Sequence, residues 1–218
     1  LASMISIFIV NYHCVELTLN AIHSISKSAE EIELFVIDNS TDKHETSQLK
    51  KLLPSQVHLI INQSNEGFAK ACNTAYQLSQ GELILLLNPD AVLLNGSLTL
   101  LKQALLRKNN IGAVSPKAYW DNLQQFQLPP SLLPSPFSSF CQNLWRLHPV
   151  LSHLYSLFFR SQALILWQSS QKAVKVNALS GGHILIKRTA YTVPIGQRIY
   201  DQQQIDQVAL AKESDKND

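Results

Sequence analysis

The sequence predicts an α/β fold with a mostly parallel central sheet and helices on both faces. Short apolar runs alternate along the chain with segments whose apolar residues recur at helical spacing, an order typical of strand–helix–strand units. The runs are apolar throughout instead of alternating with polar residues, which favours parallel strands that are covered on both sides. A chain of 218 residues can bury such a core without disulfides or structural metals.

The first 120 residues carry the regular part of this pattern. Residues 83–87 are purely apolar, so we expect this strand to lie at the centre of the sheet. Asp42 is placed to cap a helix that has Glu45 in its first turn, and Ser97 is placed to cap another. The predicted strands are 5–10, 34–37, 57–61, 83–87 and 111–114, and the predicted helices include 15–25, 67–78 and 98–106.

The regular alternation stops near residue 128. Residues 128–136 contain four prolines, which predict a loop or an extended segment. Residues 137–167 are rich in Leu, Phe and Trp and predict one or two amphipathic helices, and two further strands are predicted at 174–179 and 184–186. We expect one structural domain with three parts, which are 1–120, 121–200 and a polar, frayed tail at 201–218.

Charge is distributed unevenly along the chain. The first 90 residues carry ten acids and five bases, whereas residues 91–200 carry one acid, Asp121, and eleven bases. This basic stretch fits an anionic partner or a negatively charged surface, and it equally fits a solvated basic face. Because residues 122–200 contain no acid, a carboxylate needed for chemistry must come from the front, from Asp121 or from the tail.

Several classes of protein are not indicated. The three cysteines (Cys14, Cys72 and Cys141) are far apart and outside any CxxC pair, which argues against a disulfide framework or a zinc ribbon. No GxGxxG follows the first strand and no GxxxxGK[ST] occurs, which argues against a dinucleotide enzyme and a P-loop enzyme. No signal peptide and no run of roughly 18 apolar residues is present, so we expect a cytoplasmic protein.

Polar residues follow each of the first four predicted strands, at 11–13, 38–42, 62–68 and 88–90. In doubly wound sheets ligands bind beyond the carboxyl ends of the strands, so these residues are candidates for contacts with a base, a ribose and a diphosphate. Asp90 could bind Mg²⁺ or Mn²⁺ together with phosphate oxygens, or it could complete a turn. Asp38 could accept from a base or a ribose, or it could form an Asx turn.

Taken together, these segments resemble glycosyltransferase family 2, which has the GT-A fold, and within it the rhamnosyltransferase-like enzymes of bacterial polysaccharide assembly. Four motifs match in order over residues 5–94, and a fifth, a glycine followed by an apolar strand and a basic pair, matches at 180–191. The motifs are IVNYH (9–13), VIDNSTD (36–42), NEGFAKACNTA (65–75), GELILLLNPDAVL (81–93) and SGGHILIKRTAY (180–191).

The resemblance implies an inverting enzyme that moves a sugar from a nucleotide-diphosphate donor to a glycan or lipid-linked acceptor. Residues 1–120 would bind the donor and 121–200 the acceptor. Asp38 would contact the base, and Asp90, with Asn88 at the family's metal motif, would bind Mg²⁺ or Mn²⁺. The other implied nucleotide-sugar contacts are Val10, Asn11, Tyr12, Asn39, Ser40, Asn65, Gly67, Phe68 and Asn73, and the implied acceptor-side residues are Gly181, Gly182 and His183, of which His183 could instead bind the metal.

The expected partners follow from the same resemblance. dTDP-rhamnose is the first expected donor, the pathway is synthesis of bacterial cell-surface polysaccharide, and no nucleic acid is expected. Arginines beside the aromatic residues of 137–167 would allow peripheral contact with the inner membrane surface.

The chain departs from the family pattern where the catalytic base is expected. The family usually shows a Glu-Asp pair after the basic pair, whereas here the nearest acids are Asp201 and Asp206. These two are the candidate bases that would take the proton of the acceptor hydroxyl. A displaced tail acid, or no base, is the alternative. The protein would then be a non-catalytic or truncated relative, acting as a nucleotide-binding pseudoenzyme or an assembly partner.

Overall fold

The computed structural model describes residues 3–121, 123–125, 128, 150, 153, 157, 179 and 181–191. The chain divides into two compact units, one formed by Leu1–Pro116 with Gly181–Asp218 and the other by Lys117–Ser180. The predicted strand at 174–179, most of the predicted helical region 137–167 and the tail 201–218 lie outside the described residues. In the second unit, Val150, His153 and Leu157 have helical backbone.

The described part of the first unit is built on a six-stranded sheet. The strands are β1 (Ile5–Asn11), β2 (Ile32–Asp38), β3 (Val57–Ile61), β4 (Leu83–Leu87), β5 (Ala113–Val114) and β6 (His183–Lys187), and the helices are α1 (Val15–Ile25), α2 (Lys43–Leu52), α3 (Gly67–Leu78) and α4 (Ser97–Leu106). The strand order is β3-β2-β1-β4-β6-β5. Strands β1 to β4 are parallel, and β6 runs antiparallel to both β4 and β5. The predicted mostly parallel α/β sheet is confirmed.

Helices cover both faces of this sheet, as predicted. On one face, α1, α2 and α4 pack against alternate strand residues such as Ile7, and the same core contains Leu49 of α2 and Leu101 of α4. On the other face, α3 contacts β1 and β2, with Ala71 and Ala75 buried. These small side chains allow the backbone of α3 to lie close to the strands. All seven residues of β1 and all five of β4 are buried, which explains why their sequences are almost wholly apolar.

A network of polar side chains joins neighbouring strands at the edge of the sheet where the parallel strands begin. The Glu33 carboxylate accepts hydrogen bonds from the Ser6 hydroxyl and from the backbone N–H groups of Gln80 and Gly81. Arg188, in a short 3₁₀ turn (Arg188–Ala190) after β6, donates through Nε to the Gly81 carbonyl at 2.6 Å. The polar residues at this edge therefore stabilise the sheet. The polar residues that follow the parallel strands lie at the opposite edge.

The helix caps were predicted correctly at one position and wrongly at another. Asp42 caps α2, since its carboxylate accepts from the backbone N–H of His44 at 2.7 Å and of Glu45 at 3.3 Å. Ser97 is not the cap of α4 but its first residue. Gly96 takes the capping position with a positive φ of 78°, which a glycine adopts without strain. The buried Ser97 hydroxyl has no hydrogen-bond partner within the described part of the chain.

The strand bounds also differ slightly from the prediction. The strand expected at 111–114 is confined to Ala113–Val114, and β2 and β6 each extend beyond their predicted ends. No helix in the described ranges combines the length and the apolar character that a membrane crossing requires.

Candidate functional site

Four of the five sequence motifs meet where β1, β2 and β4 end and β6 begins. Asn11 and Asp38 are register partners at the last positions of β1 and β2. Leu87, the last residue of β4, is paired with His183, the first residue of β6. Because β6 is antiparallel, its preceding glycines reach the same edge as the residues that follow β4. We call this edge, with the loops that extend from it, the carboxyl edge.

Asp38 lies beneath the surface of this edge and is 1% exposed. Its Oδ1 accepts from Asn11 Nδ2 at 3.1 Å and from the Ser40 backbone N–H at 3.0 Å, and its Oδ2 accepts from Thr46 Oγ1 at 2.6 Å. Burial raises the pKa of Asp38, but the hydrogen bonds from Thr46, Ser40 and Asn11 together outweigh it and hold the pKa below its ordinary value. Asp38 is therefore an ionised carboxylate whose two oxygens are engaged inside the protein.

Asn11 is fully buried and connects two carboxylates. Its Nδ2 donates to Asp38 and, at 3.3 Å, to Oε2 of Glu45. Its Oδ1 accepts from Thr18 Oγ1 at 3.1 Å and from Cys14 Sγ at 3.6 Å. Both ends of the amide are thus engaged within the protein, so Asn11 shapes this edge by holding its neighbours.

The loops after β2 and β3 are joined by amide side chains. Asn39, 2% exposed, accepts from Asn62 Nδ2 at 2.6 Å and donates to the Gly67 carbonyl at 3.3 Å. Asn65 Oδ1 accepts from the Gly67 N–H at 3.0 Å. Gly67 has a φ of +76°, which explains why a glycine opens α3. Val10 is buried in β1, and Phe68 is half-buried in the first turn of α3.

Tyr12 presents the exposed aromatic surface of this group, with 52% of the residue accessible. Its ring lies edge-on to the His13 ring, with the centroids 4.6 Å apart. His13 Nδ1 lies 3.2 Å from Glu45 Oε1. His13 and Thr41 both have positive φ, at 54° and 59°. Such conformations are uncommon for residues other than glycine and persist where the surrounding contacts fix the backbone.

On the other side of the edge, Asn88 packs directly on Gly182. The Asn88 N–H donates to the Gly182 carbonyl at 2.7 Å, and the Ala91 N–H donates to the Asn88 carbonyl at 3.1 Å, which closes a turn. A Cβ on Gly182 would lie 2.6 Å from Asn88 Nδ2, so a larger residue there would require the Asn88 side chain to move. The turn exposes Asp90.

His183 lies close enough to Asp90 for their charges to interact. Burial lowers the pKa of His183, and the negative charge of Asp90 acts in the opposite direction without cancelling that effect. The His183 carbonyl accepts from Ser115 Oγ at 2.9 Å, which fixes the start of β6 against the end of β5. The imidazole is therefore held in a partly buried position beside an exposed carboxylate.

The comparison with family models identifies the chain. The model of the family described as "Glycosyl transferase family 2" matches residues 6–164. The chain belongs to glycosyl transferase family 2. The match covers the carboxyl-edge residues up to and beyond Asp90, whereas β6 lies outside it.

One solved structure supports the fold, and two are similar to the chain. The chain is similar to the mannosyltransferase PcManGT from Pyrobaculum calidifontis, solved in complex with GDP-Man and Mn²⁺, with a TM-score of 0.57 and 16% identity over 88% of this chain and 46% of that one. It is also similar to TarS 1–349 of S. aureus, with a TM-score of 0.47 and 15% identity over 86% of this chain and 48% of that one. The chain thus spans about half the length of these two structures. A comparison with curated proteins gave no match. The likeness to PcManGT confirms the predicted GT-A-type fold.

For this family 2 chain, Asp90 suits the kind of divalent-metal site that was predicted. Mg²⁺ is usually held by one or two carboxylates together with phosphate oxygens of the substrate, and Asp90 offers an exposed carboxylate at the strand ends. No cluster of three or more His, Cys, Asp or Glu side chains that could hold a metal occurs among the described residues. Asn88 contributes a packing contact with Gly182, and binding of the metal by Asp90 stays a prediction.

Asn73 is the predicted donor-site residue that the structure separates from the others. It lies six residues into α3 from Gly67, which is about 9 Å along the helix axis. Its Oδ1 accepts from the Tyr191 hydroxyl at 3.2 Å, and Tyr191 is a buried residue that follows the 3₁₀ turn after β6. A contact between Asn73 and the donor sugar stays a prediction, and the same holds for Gly181, which is exposed. The candidate bases Asp201 and Asp206 lie outside the described residues.

Sequence reasoning missed three residues that organise this family 2 site. Glu45 was assigned only to a helix turn, although it contacts both Asn11 and His13. Thr46 donates to Asp38, and Asn62 donates to Asn39. The one signal available for Glu45 and Thr46 was their place directly after the Asp42 cap, where the first turn of a helix comes close to the strand ends.

Proposed function

We propose that the protein is an inverting glycosyltransferase that uses a nucleotide-diphosphate sugar and a glycan or lipid-linked acceptor. The observation that carries this proposal is the meeting of Tyr12, Asp38 and Asp90 at one sheet edge in a chain of family 2. These residues offer an aromatic surface for a base, a buried anion that can accept a hydrogen bond, and an exposed anion for a metal-bound diphosphate.

The donor base is expected to be one that donates a ring N–H. Asp38 is ionised and therefore accepts hydrogen bonds only. Thymine, uracil and guanine present a ring N–H, whereas the corresponding ring nitrogen of cytosine and adenine is unprotonated and leaves a carboxylate only the exocyclic amino group to accept from. The carboxylate is already engaged by Ser40 and Thr46, so a base would have to displace one of these donors. This chemistry supports dTDP-rhamnose, the first expected donor, and it equally fits the GDP-sugar that PcManGT holds.

Asp90 is proposed to bind Mg²⁺ or Mn²⁺ on the diphosphate side of the donor. The ion would neutralise the charge that develops on the departing nucleoside diphosphate. Asp90 supplies a hard oxygen ligand that the Asn88 turn holds at the strand end, and the partly buried His183 remains neutral beside it. The Gly182 contact keeps this turn in place.

The acceptor side of the proposal depends on residues from 121 onward. Gly181, Gly182 and His183 would face the acceptor, and Asp201 or Asp206 would take the proton of the attacking hydroxyl. The rhamnosyltransferase-like motifs support a place in the synthesis of bacterial cell-surface polysaccharide, in the cytoplasm and in peripheral contact with the inner membrane.

The proposal is tested by measuring the release of nucleoside diphosphate from a panel of nucleotide sugars in the presence of Mn²⁺ and candidate acceptors. Asp90→Asn is expected to lower turnover by at least about 100-fold, because it removes a charged ligand of the metal. Glu82→Gln is the matched control, since Glu82 is an exposed acid that precedes the same strand at the opposite edge. Equal activity of the two variants would contradict the role of Asp90.

A second candidate is a nucleotide-binding pseudoenzyme, which the absence of acids from residues 122–200 favours. The same experiment separates the two. Metal-dependent binding of a nucleoside diphosphate without transfer or hydrolysis, for any sugar in the panel, would support the pseudoenzyme and rule out the transferase.

A further inference from the structure

Glu45 turns inward although it lies in the first turn of a surface helix. Its side chain is 17% exposed, and its two oxygens reach two different loops. Oε1 lies 3.2 Å from His13 Nδ1, and Oε2 accepts from Asn11 Nδ2 at 3.3 Å. A glutamate at the start of a helix is already favoured by the helix dipole and could remain in water. The helix dipole therefore does not explain why the Glu45 side chain points inward, whereas its contacts with His13 and Asn11 do.

The contact with His13 fixes the residue that holds Tyr12. The His13 backbone has a φ of +54°, a conformation that is uncommon for residues other than glycine. The His13 ring contacts the Glu45 carboxylate through Nδ1, and it lies edge-on to the Tyr12 ring. Because Tyr12 is half-exposed, its ring contributes little to the core, and its orientation depends on this neighbour.

The contact with Asn11 fixes the group that holds Asp38. The Asn11 amide nitrogen has two protons, and they go to Glu45 and to Asp38. Turning the amide over would place its oxygen against both carboxylates, so Glu45 allows only the orientation that donates to Asp38. Glu45 thus strengthens a preference that Asp38 and the Thr18 hydroxyl already impose on the amide, and removal of its charge would weaken that preference.

We propose that Glu45 is a positioning residue for the nucleoside, which it serves by orienting the Tyr12 ring through His13 and the Asp38 carboxylate through Asn11. Glu45 needs no contact with the donor itself. This inference rests on the proposed function, because it assumes that a nucleoside occupies the space beside Tyr12. It assigns part of the selectivity for the base to a residue on α2 that lies beside the strand ends.

The test compares Glu45→Gln with Glu16→Gln, an identical change at an exposed glutamate in the first turn of α1. Binding of dTDP, UDP, GDP, CDP and inorganic pyrophosphate to the full chain is measured by calorimetry in the presence of Mg²⁺, together with the melting temperature. We expect Glu45→Gln to weaken the binding of the preferred nucleoside diphosphates about tenfold, equivalent to about 1.4 kcal/mol. The difference in affinity between these nucleoside diphosphates and CDP should become smaller. The affinity for pyrophosphate should not change.

A second variant protects the test against a folding defect. His13→Asn keeps a residue that tolerates positive φ but is too short to bridge Glu45 and Tyr12, and it should reproduce the loss of nucleoside affinity. The inference is overturned if both variants bind like Glu16→Gln, or if pyrophosphate affinity falls in step with nucleotide affinity. If the unaltered protein binds no nucleoside diphosphate, the proposed function itself fails. The two failures are therefore distinguishable.

Discussion

The side chain of Asn88 lies directly on the backbone of Gly182, so that a Cβ at Gly182 would come within 2.6 Å of Asn88 Nδ2. The contact joins the residue that follows β4 to the residue that precedes β6, and both belong to the carboxyl edge. Of the two glycines in the fifth motif, only the second, Gly182, is in this contact. Nothing lies within 4 Å of a Cβ at Gly181.

Gly182→Ala is therefore expected to displace the Asn88 side chain at the start of the turn that carries Asp90. Metal-dependent binding of a nucleoside diphosphate should weaken at least about tenfold, equivalent to about 1.4 kcal/mol. Calorimetry in Mn²⁺ and in EDTA measures this loss. Gly181→Ala is the matched control and should bind normally. An unchanged affinity in Gly182→Ala would mean that the Asn88 side chain moves without disturbing Asp90, and it would contradict the prediction.

Thr46→Val should destabilise the protein at neutral pH, because it removes the hydroxyl that donates to Asp38 Oδ2 at 2.6 Å. Loss of a hydrogen bond to a buried charged group is expected to lower the free energy of unfolding by about 1–3 kcal/mol. Urea denaturation at pH 7 measures this change. Ser47→Ala, which removes an exposed hydroxyl of the same helix, is the control and should have little effect.

The same pair of proteins has an expected pH dependence. The pKa of Asp38 in the folded protein is below its ordinary value of about 3.9, so its contribution is present above that pH and is lost as the pH falls through the folded pKa. The hydroxyl of Thr46 helps to depress this pKa. The difference in stability between the unaltered protein and Thr46→Val should accordingly shrink from pH 7 to pH 3. A difference that is constant with pH would show that Asp38 is not the group involved.

Tyr191→Phe should lower stability by about 1 kcal/mol and leave nucleotide binding unchanged. The lost hydrogen bond runs from the buried Tyr191 hydroxyl to Asn73 Oδ1, far along α3 from the carboxyl edge. The Tyr191 ring still stacks on Tyr76, with the centroids 4.5 Å apart, so the packing should survive. Thermal denaturation and calorimetry measure the two quantities.

Asn73→Ala then separates the two roles of Asn73. A loss of stability like that of Tyr191→Phe, with normal affinity for the nucleotide sugar, would assign Asn73 to the α3 packing alone. A further loss of affinity for the sugar nucleotide, beyond that for the nucleoside diphosphate, would support the sugar contact that the third motif predicts.

The sequence predicts the fold well because the fold depends on periodicity. Runs such as the one in β4 are apolar at every position, and this pattern is produced by parallel strands that are covered on both sides. The location of the site was predictable for a related reason. Asn11, Asp38 and Asp90 each follow or close a buried strand, and parallel strands bring such residues to one edge.

The contacts of the site were less predictable, because they join segments that are far apart in sequence. Nothing in the sequence near Glu45 indicates that it will contact Asn11, 34 residues away. The error at Ser97 has a local cause, since a glycine with positive φ takes the capping position just before it. The burial of Asp38 was also not predicted. Its neighbours Ser40 and Thr46 are as suited to water as to a buried carboxylate, and only the packing decides between them.

The chain leaves the sheet after β5 and returns to it at β6. A hydrogen bond from Ser115 Oγ to the His183 carbonyl joins the end of β5 to the start of β6. Everything between them, residues 117–180, is a compact unit of its own. Within the first unit, the register between β5 and β6 is set by the pairing of Ala113 with Ile186 and of Val114 with Leu185. The boundaries at Pro116 and Gly181 are therefore the points at which residues 117–180 can be replaced as a block while every described strand of the sheet is kept.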